Sequence, residues 1–90
     1  MELEWDEAKR QWTWDNRELD FADVVDFDFA TADTVEDNRA DYGEVRLIST
    51  GYLHDRLCVL CWTERGGRMR IISLRKANER EKKAYSASAR

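Results

Sequence analysis

Ninety residues, 42% hydrophobic with four Trp, three Tyr and three Phe, supply one apolar core and no second one, so residues 1–90 read as a single folded domain. Charged residues reach 38%, but the apolar share excludes a disordered chain, and no apolar run approaches the roughly 20 residues of a membrane helix. The net charge of −4 hides a split: residues 1–44 hold 15 acids against 4 bases, a balance of −11, and residues 45–90 hold 4 against 11, a balance of +7.

That asymmetry predicts a polarised surface with a basic side suited to phosphate. The start MELEWDEAKR is acidic and lacks a signal-peptide core, so a cytoplasmic location is expected. LEWD at 3–6 reads as a short strand, and Asp6 as the N-cap of a helix running to about Asn16, with Glu7 in its first turn. Ala8, Trp12 and Asn16 share a face of that helix. Asp20 reads as a second N-cap, and Phe21, Val24, Val25 and Phe29 at i, i+3, i+4 and i+8 form the apolar stripe of a second helix packed on a core. Residues 30–44 carry turn formers and acids and read as mostly loop, with room for a short strand.

The period then changes. VRLISTGYL (45–53), RLCVLCWTE (56–64) and RMRIISLRK (68–76) are rich in β-branched, aromatic and aliphatic residues and read as an antiparallel meander broken at His54-Asp55 and Gly66-Gly67. A Gly-Gly turn with positive φ pairs Arg65 with Arg68. Counting back gives Thr63 with Arg70, Trp62 with Ile71, Cys61 with Ile72, Leu60 with Ser73, Val59 with Leu74 and Cys58 with Arg75. Strict alternation then places Leu57, Val59, Cys61, Ile72 and Leu74 on the core face, with Thr63, Arg70 and Lys76 at its ends. Cys58, Leu60, Trp62, Met69, Ile71, Ser73 and Arg75 fall on the other face, a platform able to hold a site. Asn78 with Glu81 is a capping-box pattern opening a mostly polar helix to about Ala87, whose weak apolar stripe implies loose packing or a partner.

Cys58-x-x-Cys61 has redox and zinc spacing, but residues three apart on a strand point to opposite faces and no second pair completes a metal set. His54, the only histidine, sits in a turn and reads as solvated. The carboxylates of the first half lack the spacing of a calcium loop or a metal-dependent nuclease. More informative are the six cations between 65 and 80: Arg65, Arg68, Arg70, Arg75, Lys76 and Arg80. Guanidinium groups bind phosphate bidentately and stack on exposed bases, which suits RNA, while arginines at a hairpin edge also serve solubility.

EWDEAK at 4–9, the aromatic spacing from Phe21 through Phe27, Arg46 with Gly51, and TERGGRMRIISLRKANEREKKAY at 63–85 resemble the BrnT family, ribonuclease toxins of bacterial type II toxin-antitoxin systems. The resemblance implies an α+β, RelE-like fold: N-terminal helices packed on a small antiparallel sheet, with a C-terminal helix. It implies RNA cleavage without metal or cofactor, and a BrnA-type ribbon-helix-helix antitoxin that binds in a 2:2 heterotetramer and carries the complex to operator DNA. Family members commonly carry Lys-His-Gly where this chain has Asn16-Arg17-Glu18, so a histidine position is filled by Arg17.

On this reading Arg75 clamps the phosphate, Ser73 hydrogen-bonds beside it, and Arg46 and Arg70 add electrostatic support. Lys76, Arg80, Arg65 and Arg68 guide the RNA strand. Tyr85 and Glu79 are candidates for proton transfer, with Glu81, Glu64 and His54 behind them. The competing expectations are a scaffold with weakened chemistry that binds the antitoxin and tunes its operon, and a plain nucleic-acid-binding module with steep salt dependence.

Overall fold

The computed structural model describes residues 2–88. In chain order the elements are β1 (Leu3–Glu4), α1 (Glu7–Arg17), a 3-10 helix (Phe21–Asp26), β2 (Asp33–Glu36), β3 (Leu47–Leu53), β4 (Arg56–Arg65), β5 (Arg68–Lys76) and α2 (Glu79–Ala87). One five-stranded sheet of order β1-β5-β4-β3-β2 organises this α+β fold. The meander is antiparallel as expected, but the sheet is mixed: β1 runs parallel to β5, pairing Leu3 with Met69 and Glu4 with Arg70. The Met69 N–H donates to the Glu2 carbonyl at 2.8 Å, so the N-terminal segment covers the outer edge of β5 only near the hairpin.

Asp6 caps α1 as the sequence indicates, its side chain accepting from the Ala8 N–H. The helix buries Thr13, whose hydroxyl donates to the Lys9 carbonyl at 2.8 Å, and turns Trp12 and Trp14 outward at 52% and 53% exposure. Asp20 also caps as expected, but the segment it opens is a 3-10 helix. At three residues per turn, Phe21, Val24 and Phe27 align and are buried, while Val25 points away at 75% exposure. The N-terminal layer is therefore one α-helix and one 3-10 helix, and Val25 is not part of the expected stripe.

Gly66 and Gly67 have φ of 59° and 76°, the left-handed pair that a two-residue hairpin turn needs. The register matches the expected count from Arg65–Arg68 back to Trp62–Ile71, then shifts by one at the Cys61/Trp62 step. Ile72 is the extra residue. Beyond it Cys61 pairs with Ser73, Leu60 with Leu74, Val59 with Arg75 and Cys58 with Lys76, which corrects the four pairs predicted there.

The face assignment changes with it. The larger core lies on the side of Cys58, Leu60, Ile71 and Leu74, packed under Phe21, Val24 and Phe27, so the expected platform is the main core face. Gly51 permits this close approach, because a Cβ there would lie 2.8 Å from that of Ala32 and 3.0 Å from the Phe27 ring. On the opposite face Leu57, Val59 and Ile48 form a smaller cluster with Ala77 and Tyr85, where α2 docks. The Asn78–Glu81 capping box is complete, with both reciprocal hydrogen bonds at 2.8 and 2.9 Å. No described helix is long and apolar enough to cross a membrane.

The α1 terminus is strained. Glu18 closes the helix in the left-handed region at φ 56°, its N–H donating to the Trp14 carbonyl, a conformation glycine adopts without a Cβ penalty. Glu18→Gly is therefore expected to raise stability by about 1 kcal/mol, read as an upward shift in the thermal unfolding midpoint.

Candidate functional site

Strict alternation separates Arg70 from Ser73 and Arg75, because even and odd positions face opposite ways. The inserted Ile72 cancels that parity. Arg70, Ser73 and Arg75 pair with Thr63, Cys61 and Val59, so all three backbone positions belong to the face that carries α2. Their local environments still differ, because each side chain meets a different set of partners.

Arg75 forms a bidentate pair with Glu81, at 2.7 Å from Nη1 to Oε1 and 2.8 Å from Nη2 to Oε2. The hydrogen bond to Glu81 raises the Arg75 pKa, burial acts against it, and the nearby Arg39 charge also disfavours the cation. Arg75 in turn holds the Glu81 carboxyl down to about 2, helped by the Asn78 N–H. Two parallel N–H···O bonds to two oxygens are the geometry with which arginine grips a phosphate as well as a carboxylate. The α2 capping residue thus occupies the fork expected to clamp substrate.

Residues 37–46 fold over the same face. Asp37 is 5% exposed and accepts two 2.7 Å bonds from the Arg39 guanidinium and a 3.1 Å bond from the Tyr42 hydroxyl. The Arg39 hydrogen bond keeps its carboxyl well below the usual carboxylate range. Arg46 lies 4.0 Å over the Tyr42 ring and bonds Glu44 at 3.2 Å. Thr63 ties the segment to the sheet by donating to the Val45 carbonyl at 2.6 Å. Sequence reasoning passes over Arg39, because nothing along the chain marks it before residues 37–46 dock on the sheet.

The hairpin arginines are engaged elsewhere. Arg65 bonds Glu44 at 2.8 Å, Arg68 lies 3.3 Å from Glu2 and 3.8 Å from Glu4, and Arg70 lies 3.5 Å from Glu4. Acids of the first half thereby neutralise bases of the second, and the polarised surface expected from the two halves is folded into cross-chain ion pairs at the hairpin. Lys76 and Arg80 are exposed and, like Lys9 and Arg17, have no ion-pair partner among the described residues.

The proton-transfer candidates separate clearly. Tyr85 is buried, donates its hydroxyl to the Thr31 carbonyl at 2.8 Å and stands edge-on to Tyr52. Glu79 is exposed and paired with Lys82 at 3.2 Å. Glu81 sits on Arg75, Glu64 is exposed on β4, and His54 is in a turn at φ 55° beside Asp26 at 3.1 Å. Cys58 and Cys61 are free and buried on opposite faces, and burial pushes both thiols up, away from reactive thiolate. No group of three or more His, Cys, Asp or Glu among the described residues is placed to hold a metal ion.

Two hollows flank β5 where β1 no longer covers it. One, about 360 Å³, is lined by Lys9, Trp12, Thr13, Arg17, Phe21, Ile72 and Ser73. Its neighbour, about 390 Å³, is lined by Asn16, Arg17, Glu18, Arg75 and Lys76. They share Arg17, which donates to the Leu74 carbonyl at 3.0 Å and so pins the end of α1 to the strand.

The family described as ribonuclease toxin, BrnT, of type II toxin-antitoxin system matches the chain over residues 5–81. No curated protein matches it.

The Arg75–Glu81 pair gives a pH dependence with a defined sign. Because folding lowers the Glu81 pKa from 4.5 to about 2, its stabilisation is complete above the unfolded value and is lost as pH falls through that window. Glu81→Gln should cost about 1 kcal/mol at neutral pH, discounted for the exposure of Arg75, and should flatten the acid limb of stability between those pH values. Thermal melts of both proteins from pH 7 to pH 2 check this.

Proposed function

From the chain's membership in the BrnT family of type II toxin-antitoxin ribonuclease toxins, we propose that it is a metal-independent endoribonuclease of the mRNA interferase type, held inactive by a BrnA-type antitoxin. The observation that carries this reading is the bidentate fork of Arg75, set on the same sheet face as Ser73 and beside Arg39. The α+β architecture, with helices on a five-stranded sheet, supports a RelE-like arrangement; on this reading the chain acts as one domain in the cytoplasm.

The chemistry requires the ribose 2′-oxygen to attack the adjacent phosphorus while the bond to the 5′-oxygen breaks. The products are a 2′,3′-cyclic phosphate and a free 5′-hydroxyl. One proton leaves the 2′-hydroxyl and one reaches the departing oxygen. Arg75 takes the phosphate in place of Glu81, and its fixed donors stabilise the charge on the phosphorane. Ser73 hydrogen-bonds a phosphate oxygen, and Arg39, Arg46 and Arg70, each resting on a carboxylate, add electrostatic support where the phosphate draws them from those partners. Displaced from Arg75, the Glu81 carboxylate loses the partner that depresses its pKa and becomes the base nearest the attacking hydroxyl. Tyr85 and Glu79 are weaker proposals for proton transfer, the first buried on a carbonyl and the second solvated. Lys76 and Arg80 receive neighbouring phosphates, with Arg65 and Arg68 further along the strand.

The ribbon-helix-helix antitoxin would supply a dimer carrying two toxins, giving a 2:2 complex that binds operator DNA through the antitoxin. A second reading, an antitoxin-binding scaffold with weakened chemistry, is favoured by Arg17 at the family's histidine position and by its commitment to the Leu74 carbonyl.

The antitoxin-free protein is expected to cleave bare RNA in EDTA, and Arg75→Ala to reduce the rate by roughly 10²- to 10³-fold while the circular dichroism spectrum is retained. An Arg75→Ala variant as active as the parent overturns the assignment; cleavage by neither protein favours the scaffold.

A further inference from the structure

Three of the cations without an ion pair among the described residues line hollows that the hairpin arginines do not reach. Lys9 and Arg17 project from α1, Lys76 ends β5, and the two hollows along the β5 edge are lined by these three together with Arg75. The hollow next to Arg75 is polar. The hollow beyond it, at Ile72 and Ser73, has indole, phenyl and aliphatic walls formed by Trp12, Phe21 and Ile72.

The bulge that brings Ser73 to the candidate site also opens this second hollow, since Ile72 and Ser73 are both on its wall. Trp12 is 52% exposed although it lies on a folded helix between two cations. Arg17 stands 4.9 Å over the indole and is itself held by the Leu74 carbonyl, so the wall is fixed before any ligand arrives. At about 360 Å³ the hollow falls within the roughly 300–1,000 Å³ of small-ligand pockets. An exposed aromatic face flanked by cations is the composition that stacks an unpaired base and steers the phosphates on either side.

We propose that the α1–β5 hollow is a nucleobase subsite for single-stranded RNA. The base stacks on Trp12 between the Phe21 and Ile72 walls, and Lys9 and Arg17 face the adjoining phosphates. This rests on the ribonuclease reading and deepens it: the subsite sets which nucleotide lies beside the linkage gripped by Arg75. Arg17 belongs to the subsite as well, since its guanidinium on the indole extends the stacking surface.

Fluorescence anisotropy of a labelled single-stranded oligoribonucleotide, made uncleavable by 2′-deoxy substitution at the scissile ribose, tests the subsite apart from catalysis. Cleavage of the all-ribose oligomer is measured in parallel. Trp12→Ala is expected to weaken binding by about tenfold, the loss of one stacked base, with Trp12→Phe recovering most of it. The Trp12→Ala effect should vanish on an oligomer with an abasic residue in the subsite position, identified by moving the abasic residue along the oligomer. If Trp12→Ala binds every oligomer as the parent does while Arg75→Ala abolishes cleavage, the subsite is overturned and the nuclease reading stands. If the parent protein neither binds nor cleaves RNA, both fall. Circular dichroism of each variant confirms folding, which an exposed position such as Trp12 should not disturb.

Discussion

One inserted residue, Ile72, decides what the rest of β5 faces, because side chains on a strand alternate with period two and a single extra residue reverses every assignment beyond it. On the hairpin side of the bulge, Ile71 and Met69 enter the larger core. On the far side Leu74 returns to that core although it lies three residues from Ile71. The same reversal sends Ser73 and Arg75 to the face of Arg70. A regular strand would bury Ser73 and Arg75 beneath the 3-10 helix and leave the α2 side with Leu74 instead. Core and candidate site therefore share one constraint.

Around that strand, charge is distributed by contact more than by sequence distance. Glu2, Glu4 and Glu44 come from the acidic half and meet Arg65, Arg68 and Arg70 of the basic half. Exposed pairs of this kind contribute little stability individually, with a median near 0–1 kcal/mol. Their effect on potential is larger, since they remove positive charge from the hairpin and leave it along α1 and the far end of β5. Arg75 is intermediate: its partner Glu81 belongs to a capping box, so the fork that can grip a phosphate also steadies the start of α2.

Much of the architecture is legible in the sequence because local rules carry it. Asp6, Asp20 and Asn78 cap where a short polar side chain precedes a helical segment, and Gly66-Gly67 sets the hairpin with both residues at positive φ. The departures have tertiary causes. Phe21, Val24 and Val25 fit an α-helical stripe, but burial of Phe27 against Gly51 selects the tighter 3-10 spacing. No residue type announces the bulge at Ile72, so alternation alone misplaces the faces. Arg39 and the Trp12 hollow are hidden for a related reason: both depend on a loop or helix docking against a strand distant in sequence, and neither forms a motif along the chain.

The outer edge of β2 has a consequence of its own. Asp33–Glu36 is four residues long, exposed throughout, and hydrogen-bonded to β3 on one side only. Such a margin is a template onto which another chain can add a strand. Its brevity and the carboxylates at both ends discourage identical copies from stacking there, since like charges would be brought into register. An incoming strand at this margin would therefore need basic side chains opposite Asp33 and Glu36.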